Sequence, residues 1–237
     1  MKKVLLIDSG SGGINILKEC VKKCPLCDFL FFCDNKNMPY GSKTKSELLK
    51  ITFDNLEMIY HFFKFEIVVF ACNTLTSTCI VECREKYPNI EFVETVPAIK
   101  PALEKFDKEE ILVLSTQATA KHNILIGKTG VPVLVVPNLA GLIDENLDQI
   151  ECIFSEIDKQ IGDVKAKAIV LGCTHYFALK DYFEKRFPDV EIFDSADGVA
   201  RRLKTIVGEG MENYQVQIMV SGDESFLAKL IDFFKKQ

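Results

Sequence analysis

Nine short apolar runs, most of them rich in β-branched or aromatic residues, recur along the chain and are separated by longer segments with helical periodicity. The runs are VLLI (4–7), FLFF (29–32), IVVFA (67–71), EFVE (91–94), ILVL (111–114), VLVV (133–136), AIVL (168–171), EIF (191–193) and QIMV (217–220). Continuous apolar strands joined by helices are typical of parallel sheets that are covered on both faces. The pattern predicts an α/β fold of the doubly wound class.

The first four runs correspond, in order, to the next four. VLLIDSGSGG matches ILVLSTQAT, FLFFCDN matches VLVVPN, VVFACNT matches IVLGCTH, and FVETVPA matches IFDSADG. Any two α/β halves share such a coarse pattern, but here a cysteine followed by polar residues closes the third strand of both halves. The self-similarity indicates an internal duplication. We therefore expect two similar parallel-sheet domains, related by a pseudo-twofold axis, with the active site in the cleft between them.

The domain boundaries follow from the segments that lie between the matched halves. VPAIKP (96–101) and the region 197–202 have the character of crossings between domains. The run QIMV and the helical segment SFLAKLIDFF after it have no counterpart in the second half, so we expect them to fold back onto the first. The predicted domains are residues 1–96 together with 205–237, and residues 97–204.

Composition and charge narrow the classes of partner. The 237 residues carry a net charge of -5 with a pI of about 5.4, and no basic tract with interleaved aromatic residues occurs. Neither nucleic acid nor an anionic membrane is an expected partner, and a small molecule is favoured. The first apolar run meets Asp8 after four residues, too short for a signal-peptide core, and no stretch approaches the ~20 apolar residues of a membrane span. We expect a cytoplasmic protein.

The chain has nine cysteines. Because the number is odd and no export signal is predicted, we expect reduced thiols rather than a disulfide framework. The segment CPLC, from Cys24 to Cys27, resembles half of a zinc or redox site but has no second CxxC to complete four ligands. We interpret these two thiols, and Cys79 and Cys83, as core residues, since free cysteine usually behaves as a small buried hydrophobe.

Polar and reactive residues follow the first, third, fifth and seventh strands. Ligands of open parallel sheets bind outside the carboxyl ends of the strands, so these residues form one candidate site. They are Asp8, Ser9, Cys72, Asn73, Thr74, Thr116, Thr119, Cys173, Thr174 and His175. Taken alone, Cys173 beside His175 is open to several interpretations: packing residue, metal ligand, nucleophile or acid/base. The matching Cys72 favours the last of these, because a pseudo-twofold axis would place the two thiols on opposite sides of one ligand.

Two thiols facing one carbon suit inversion of a stereocentre by proton transfer. One thiolate accepts a proton from one face, and the other thiol delivers a proton to the opposite face. A free thiol has a pKa of ~8.5 that a neighbouring charge readily lowers, so both protonation states are accessible near neutrality. Asp8 could manage the proton of Cys72 from the adjacent strand end, and His175 that of Cys173.

Two loops supply the substrate-binding groups of this candidate site. The segment DSGSGG (8–13) is a weak signal alone, but a Gly-rich turn that enters a helix offers N–H groups to an anion. With the neighbouring hydroxyls and amides it predicts a site for carboxylates and an ammonium. The segment MPYGSK (38–43) adds Tyr40 and Gly41 as a pocket wall or lid. We interpret His61 and His122 as surface or structural residues.

These motifs, in this order and spacing, resemble those of glutamate racemases, within the aspartate/glutamate racemase superfamily. The segments concerned are DSGSGG, PYG (39–41), ACNT (71–74), STQAT (115–119), GCTHY (172–176) and SGD (221–223). The resemblance implies a cytoplasmic, homodimeric enzyme that interconverts L- and D-glutamate with two cysteines and supplies D-glutamate for peptidoglycan, and hence for cell-wall biogenesis and cell shape. It implies no cofactor and no metal. The implied catalytic residues are Cys72, Cys173, Asp8 and His175, and the implied substrate contacts are Asp8, Ser9, Tyr40, Gly41, Asn73, Thr74, Thr116, Thr119, Thr174 and His175.

The chain departs from the family pattern at two places. Family members usually have proline after GCTHY, where this chain has Phe177. The segment VVPNLAGLID (135–144) loosely resembles one that ends in glutamate, so Asp144 is a candidate assistant one methylene shorter. The histidine of GCTH favours glutamate over aspartate. Two other hypotheses stay open: a racemase of this superfamily that acts on aspartate or another amino acid, and a non-catalytic protein that binds small anions.

Overall fold

The computed structural model describes residues 2–209 and 214–235, and all nine predicted strands are present in it. The strands are β1 (Lys2–Asp8), β2 (Cys27–Cys33), β3 (Ile67–Phe70), β4 (Glu91–Glu94), β5 (Ile111–Ser115), β6 (Val133–Val135), β7 (Ala168–Gly172), β8 (Glu191–Phe193) and β9 (Val216–Val220). The α-helices are α1 (Gly13–Lys23), α2 (Lys45–Phe62), α3 (Asn73–Lys86), α4 (Ile99–Leu103), α5 (Gln117–His122), α6 (Ile124–Thr129), α7 (Leu139–Glu145), α8 (Phe154–Ile161), α9 (Lys180–Arg186), α10 (Ala196–Val207) and α11 (Ser225–Lys235). Short 3₁₀ segments lie at Tyr40–Ser42, Lys108–Glu110, Ile150–Ile153 and Thr174–Leu179.

The strands form two sheets with the same internal order. The first sheet has the order β4-β3-β1-β2-β9 and the second the order β6-β5-β7-β8, and every pair of neighbours is parallel. Reversing the second gives β8-β7-β5-β6, so each of the first four strands has its counterpart where the sequence repeat predicts it. The prediction of two similar parallel-sheet α/β units is confirmed.

Strand β9 extends the first sheet beyond the repeat. It pairs with β2 in the register Phe29↔Val216 to Cys33↔Val220, so the C-terminal strand returns to the first half as expected. The sheets alone do not fix the domain boundaries, because the predicted break between residues 204 and 205 falls inside α10, a helix that packs against α1. The two domain ranges therefore stay a prediction.

The central strands are buried because helices cover both faces of each sheet. Leu5 and Ile7 of β1 point into the core under α2 and α3, whereas Val4 and Leu6 point into the core that contains α1, and all four are 0% exposed. Burying a side chain of this size stabilises the fold by about 1.5–3 kcal/mol. A strand buried on both faces needs continuous apolar sequence, which explains the VLLI run.

The four cysteines that the sequence predicted to be core residues are buried. Cys24, Cys27, Cys79 and Cys83 are each 0% exposed. Burial raises the pKa of Cys24 to about 11 and that of Cys27 to about 12. Thiols that stay protonated at neutral pH are poor nucleophiles, so these four are packing residues.

In the described ranges no α-helix has the length and apolar character needed to cross a membrane.

Candidate active site

A cavity of about 640 Å³ lies between the loops at the carboxyl ends of the two sheets. Eight of the predicted site residues line it: Ser9, Tyr40, Gly41, Cys72, Thr74, Thr116, Cys173 and His175. The remaining five candidates do not line the cavity and are buried: Asp8, Asn73, Thr119, Thr174 and Asp144. Asp8 and Thr174, which are 166 positions apart in the chain, thus meet where the strand ends predicted.

The two thiols occupy equivalent positions. Cys72 follows β3 in extended backbone and precedes α3, and Cys173 follows β7 in extended backbone and precedes the 3₁₀ segment Thr174–Leu179. Each side chain faces the same cavity, and each residue is 6% exposed. The internal repeat therefore brings one nearly buried thiol from each half to one space.

Asp8 is the acidic partner on the Cys72 side. Its carboxylate accepts hydrogen bonds from the backbone N–H of Ser9 at 2.7 Å and from Thr174 Oγ1 at 3.0 Å. Burial raises the pKa of Asp8 to about 6, although the charge of His175 acts in the opposite direction. Burial, and then the negative charge of Asp8, raise the pKa of the Cys72 thiol well above its usual value. Cys72 is therefore a protonated thiol near neutral pH, beside a carboxylate that titrates close to neutrality.

The Cys173 side has the opposite electrostatics. His175 Nδ1 lies 3.8 Å from Cys173 Sγ, and His175 Nε2 lies 3.0 Å from Asp144 Oδ2. Burial alone would lower the pKa of His175, but the charge and hydrogen bond of Asp144 outweigh it and raise that pKa well above 6.5. The backbone N–H of Ser11 donates to Asp144 Oδ1 at 3.0 Å and holds the carboxylate in place. A positively charged imidazolium thus lies next to Cys173, where Cys72 has a carboxylate for its neighbour.

Close packing between the halves explains two glycines of DSGSGG, Gly10 and Gly12. A Cβ atom at Gly12 would lie 2.4 Å from the backbone nitrogen of His175, and one at Gly10 would lie 2.0 Å from Asp144 Oδ2. Gly12 has ordinary right-handed backbone angles, so space rather than conformation requires glycine there. The loop after β1 thus packs directly against the GCTH segment of the other sheet.

Three threonine hydroxyls form a cluster across the two halves. Thr74 Oγ1 lies 2.9 Å from Thr116 Oγ1 and 3.4 Å from Thr119 Oγ1, and Thr116 and Thr119 are 3.1 Å apart. Thr116 also accepts a hydrogen bond from the N–H of Thr119 and so caps α5. Asn73 is turned away from this cluster, because its Nδ2 donates to the carbonyl of Thr95 at 3.4 Å.

Sequence reasoning missed Asp34, which fixes the Tyr40 wall of the cavity. Tyr40 Oη donates to Asp34 Oδ2 at 2.7 Å, and the fully buried Asp34 carboxylate also accepts from Asn37, Asn55 and Ser221. The signal was available, since Asp34 closes the second strand in FLFFCDN. The contact with Ser221 also gives the SGD segment a structural role.

Several other cavity residues were not predicted. Three lysines lie on the lining, namely Lys43, Lys45 and Lys121, and His122 joins them although its sequence suggested a surface or structural residue. Phe177, which replaces the usual proline, is not on the lining and packs in the hydrophobic core.

No group of three or more His, Cys, Asp or Glu side chains within residues 2–209 and 214–235 is arranged to hold a metal ion.

The chain is similar over nearly its whole length to curated glutamate racemases. It is 35% identical over 232 residues to the glutamate racemase of Clostridium acetobutylicum, covering 91% of this chain and 90% of the relative. It is 31% identical to that of Halothermothrix orenii, in a match that covers 99% of both chains. The chain belongs to the glutamate racemase family. The family prediction from the motifs is thus confirmed, while no family model matches the chain.

Solved glutamate racemases share the fold. The glutamate racemase isoform RacE1 from Bacillus anthracis superposes with a TM-score of 0.86 at 23% identity, over 98% of this chain and 93% of that one. The Escherichia coli glutamate racemase, solved with L-glutamate and an activator, gives a TM-score of 0.85 at 21% identity, over 99% and 94%. At such identities the comparison establishes the architecture of two α/β units.

Proposed function

We propose that the protein is an isomerase, a glutamate racemase that interconverts L- and D-glutamate with two cysteines and no cofactor. The observation that carries the proposal is the pair Cys72 and Cys173, which come from equivalent strand ends and face one cavity. Each thiol has its own charged partner, Asp8 for Cys72 and His175 for Cys173. Membership of the glutamate racemase family supports the choice of substrate.

The protonation states of the two sides suggest the resting arrangement. Burial and Asp8 keep Cys72 protonated, so we assign the proton-accepting role in this direction to Cys173, whose Sγ lies 3.8 Å from His175 Nδ1. The Cys173 thiolate accepts the proton from one face of the α carbon, and the electron pair of the C–H bond passes to the carbanion and its carboxylate. The Cys72 thiol then donates its proton to the opposite face. For the other enantiomer the two thiols exchange roles, so each must be able to take either form.

The loops around the thiols fit a substrate with two carboxylates and an ammonium. The hydroxyls of Ser9, Thr74 and Thr116 face the cavity, and its wall is formed by Tyr40 and Gly41. The backbone N–H groups at the start of α3, a helix of 14 residues, offer the positive end of a helix dipole to an anion. In this proposal Asn73, Thr119 and Thr174 support the wall from behind, and Asp144 orients His175.

The wider biological assignment rests on the family resemblance. The product D-glutamate would supply peptidoglycan synthesis, and with it cell-wall biogenesis and cell shape. We further propose that the enzyme works in the cytoplasm as a homodimer, and that residues 1–96 with 205–237 form one domain and residues 97–204 the other.

One assay tests the reaction and the substrate together. The purified protein is incubated with the L and D forms of glutamate, aspartate and a few neutral amino acids, without added pyridoxal phosphate, and loss of optical activity is followed. Racemisation of glutamate well above the others supports the proposal. Preference for aspartate would support the related racemase instead. Binding of these anions without turnover of any of them would support the non-catalytic alternative.

A further inference from the structure

The mouth of the cavity differs in charge from the rest of the molecule. The chain has 34 acidic against 29 basic residues. Among the described residues that line the cavity, none is acidic, whereas Lys43, Lys45 and Lys121 are basic. The protein has a net negative charge of -5, yet the Asp, Glu, Lys and Arg side chains that line this cavity, among the described residues, are all lysines.

The side chains at the mouth of the cavity are exposed to solvent, whereas those at its floor are buried. Lining residues that are exposed include Lys45, Gln117 and Lys121, while Cys72 and Cys173 are almost completely buried. Lys43 comes from the loop of the first half, and Lys121 from the last turn of α5 in the second. These segments are neighbours, since a Cβ atom at Gly41 would lie 3.2 Å from Thr116 Cβ. The two lysines therefore flank one opening from both halves of the protein.

The lysines differ in how far their charge is already neutralised. Lys45 forms an ion pair with Glu82 at 2.5 Å. Within the described part of the chain neither Lys43 nor Lys121 has a carboxylate within 4.0 Å. The hydrogen bonds from Thr44, and after them the charge of Lys43, lower the pKa of the Glu47 carboxyl. Lys121 consequently has the charge that is most fully available to a molecule entering the cavity.

The floor itself disfavours an anionic substrate. Asp144 and His175 form an ion pair with no net charge, and Asp8, with a pKa of about 6, is mostly ionised at pH 7.5. A thiolate at Cys173 adds a second negative charge in the proposed mechanism. A substrate with a net charge of minus one, such as glutamate, is repelled by this floor, so attraction must come from elsewhere.

We propose that Lys43 and Lys121 form an electrostatic funnel that selects small anions, with Lys121 as its main residue. This inference rests on the proposed function and adds to it a determinant of substrate class. The funnel raises the concentration of dicarboxylic amino acids at the cavity over that of neutral ones. A unit charge about 10 Å away in water changes the local concentration of a monovalent anion about twofold, so reversing it gives about fourfold. The effect weakens with salt because charges at this distance are screened.

The kinetic test compares Lys121→Glu with Lys128→Glu. Lys128 is exposed on α6 and is absent from the cavity lining. Because each variant replaces a lysine with a glutamate, both change the net charge of the protein equally, but only K121E changes the charge at the cavity. At low ionic strength K121E should lose about fourfold in kcat/KM for glutamate, and the loss should shrink toward 0.5 M salt, whereas K128E should match wild type. Equal kcat/KM and equal salt dependence in the two variants would overturn the funnel while leaving the racemase proposal intact.

A second measurement does not depend on turnover. Cys173 is alkylated with iodoacetate, an anion, and with iodoacetamide, its neutral counterpart, and the two rates are read from the modified peptide by mass spectrometry. The ratio of the iodoacetate rate to the iodoacetamide rate reports the electrostatic potential at the mouth of the cavity, because the reactivity of the thiol affects both rates equally and cancels. K121E should lower the ratio about fourfold at low salt and K128E should not change it. An unchanged ratio in K121E would overturn the inference whether or not the protein racemises glutamate.

Discussion

Thr174 Oγ1 donates a hydrogen bond of 3.0 Å to Asp8 Oδ2. Asp8 ends β1 in the first sheet and Thr174 follows β7 in the second, so this bond joins the two halves next to the cavity. The other carboxylate oxygen accepts from the N–H of Ser9, which leaves Asp8 little freedom to rotate. Because the position of Asp8 relative to Cys72 is set by contacts from both halves, the proton-handling groups depend on how the halves pack.

Replacing Asp8 with asparagine should stabilise the protein and damage the reaction. The pKa of Asp8 in the folded protein, about 6, lies above its ordinary 3.8, so the folded state resists ionisation and loses stability as the pH rises from 4 through 6. Asp8→Asn avoids this loss and should be more stable than wild type at pH 7.5 by up to about 3 kcal/mol, with a smaller difference near pH 4. Urea unfolding at pH 4 and at pH 7.5 measures the free energy of unfolding of wild type and variant, with the exposed Asp54→Asn as the control. Equal destabilisation at both pH values would contradict the account.

Removing the charge of Asp144 should shift the pH dependence of activity. Burial lowers the pKa of His175 and Asp144 raises it, so in Asp144→Asn the imidazole should lose its proton at lower pH. The alkaline limb of kcat/KM should move to lower pH, and activity at pH 8 should fall by about 10²-fold. Asp144→Glu keeps the charge and should retain much of the profile. Asp148→Asn, at an exposed ion pair, is the control. A profile unchanged in Asp144→Asn would remove Asp144 from the mechanism.

Gly12 should tolerate no side chain. A Cβ atom would meet the backbone of His175 at 2.4 Å and of Thr174 at 2.6 Å, and backbone cannot move aside as a flexible side chain can. Gly12→Ala should destabilise the protein by at least about 1–3 kcal/mol. In Gly127→Ala the new methyl meets nothing within 4 Å on helix α6, so stability should rise by about 0.5–1 kcal/mol. Thermal unfolding of both variants checks this, and similar behaviour of the two would refute the packing argument.

The hydroxyl of Thr74 should matter to substrate binding, and that of Thr78 on the same helix should not. Thr74 lines the cavity and bonds to Thr116. The buried Thr78 Oγ1 has no hydrogen-bond partner among the described residues and lies off the lining. Thr74→Val should raise the KM for glutamate about tenfold or more, as expected for a lost hydrogen bond to a charged group. Thr78→Val should leave the kinetics unchanged and the stability equal or higher. A KM unaffected by Thr74→Val would place the substrate elsewhere.

The sequence predicted the sheets well because parallel strands buried on both faces need continuous apolar runs. All nine runs are strands, and the repeat predicted that the two halves share one plan, which the matching order of the first four strands and the next four confirms. The strand-end rule then identified Cys72, Cys173 and the residues around them. Asp144 lies on α7 but meets His175 through tertiary packing, so only the family pattern, and no local periodicity, pointed to it.

What the sequence did not predict lies on short helices and on loops. Lys121 was not among the predicted site residues, because helical periodicity says nothing about which helix ends beside a cavity. Asp34 was not among the predicted site residues; it follows the second strand, but its role depends on Tyr40, Asn55 and Ser221, which converge on it from three segments. Such convergence depends on tertiary contacts that no single stretch of sequence encodes.

The two-thiol mechanism is tested most directly by isotope exchange at the α carbon. In deuterated water under initial-rate conditions, L-glutamate should give D-glutamate that carries deuterium at the α position, while the remaining L-glutamate stays mostly protiated. Two thiols predict this because the outgoing and incoming protons belong to different sulfurs. Cys72→Ser and Cys173→Ser should each lose racemisation by at least about 10²-fold, and Cys79→Ser, a buried thiol away from the cavity lining, should not. Product that retains the α protium, or full activity in either active-site variant, would contradict the account.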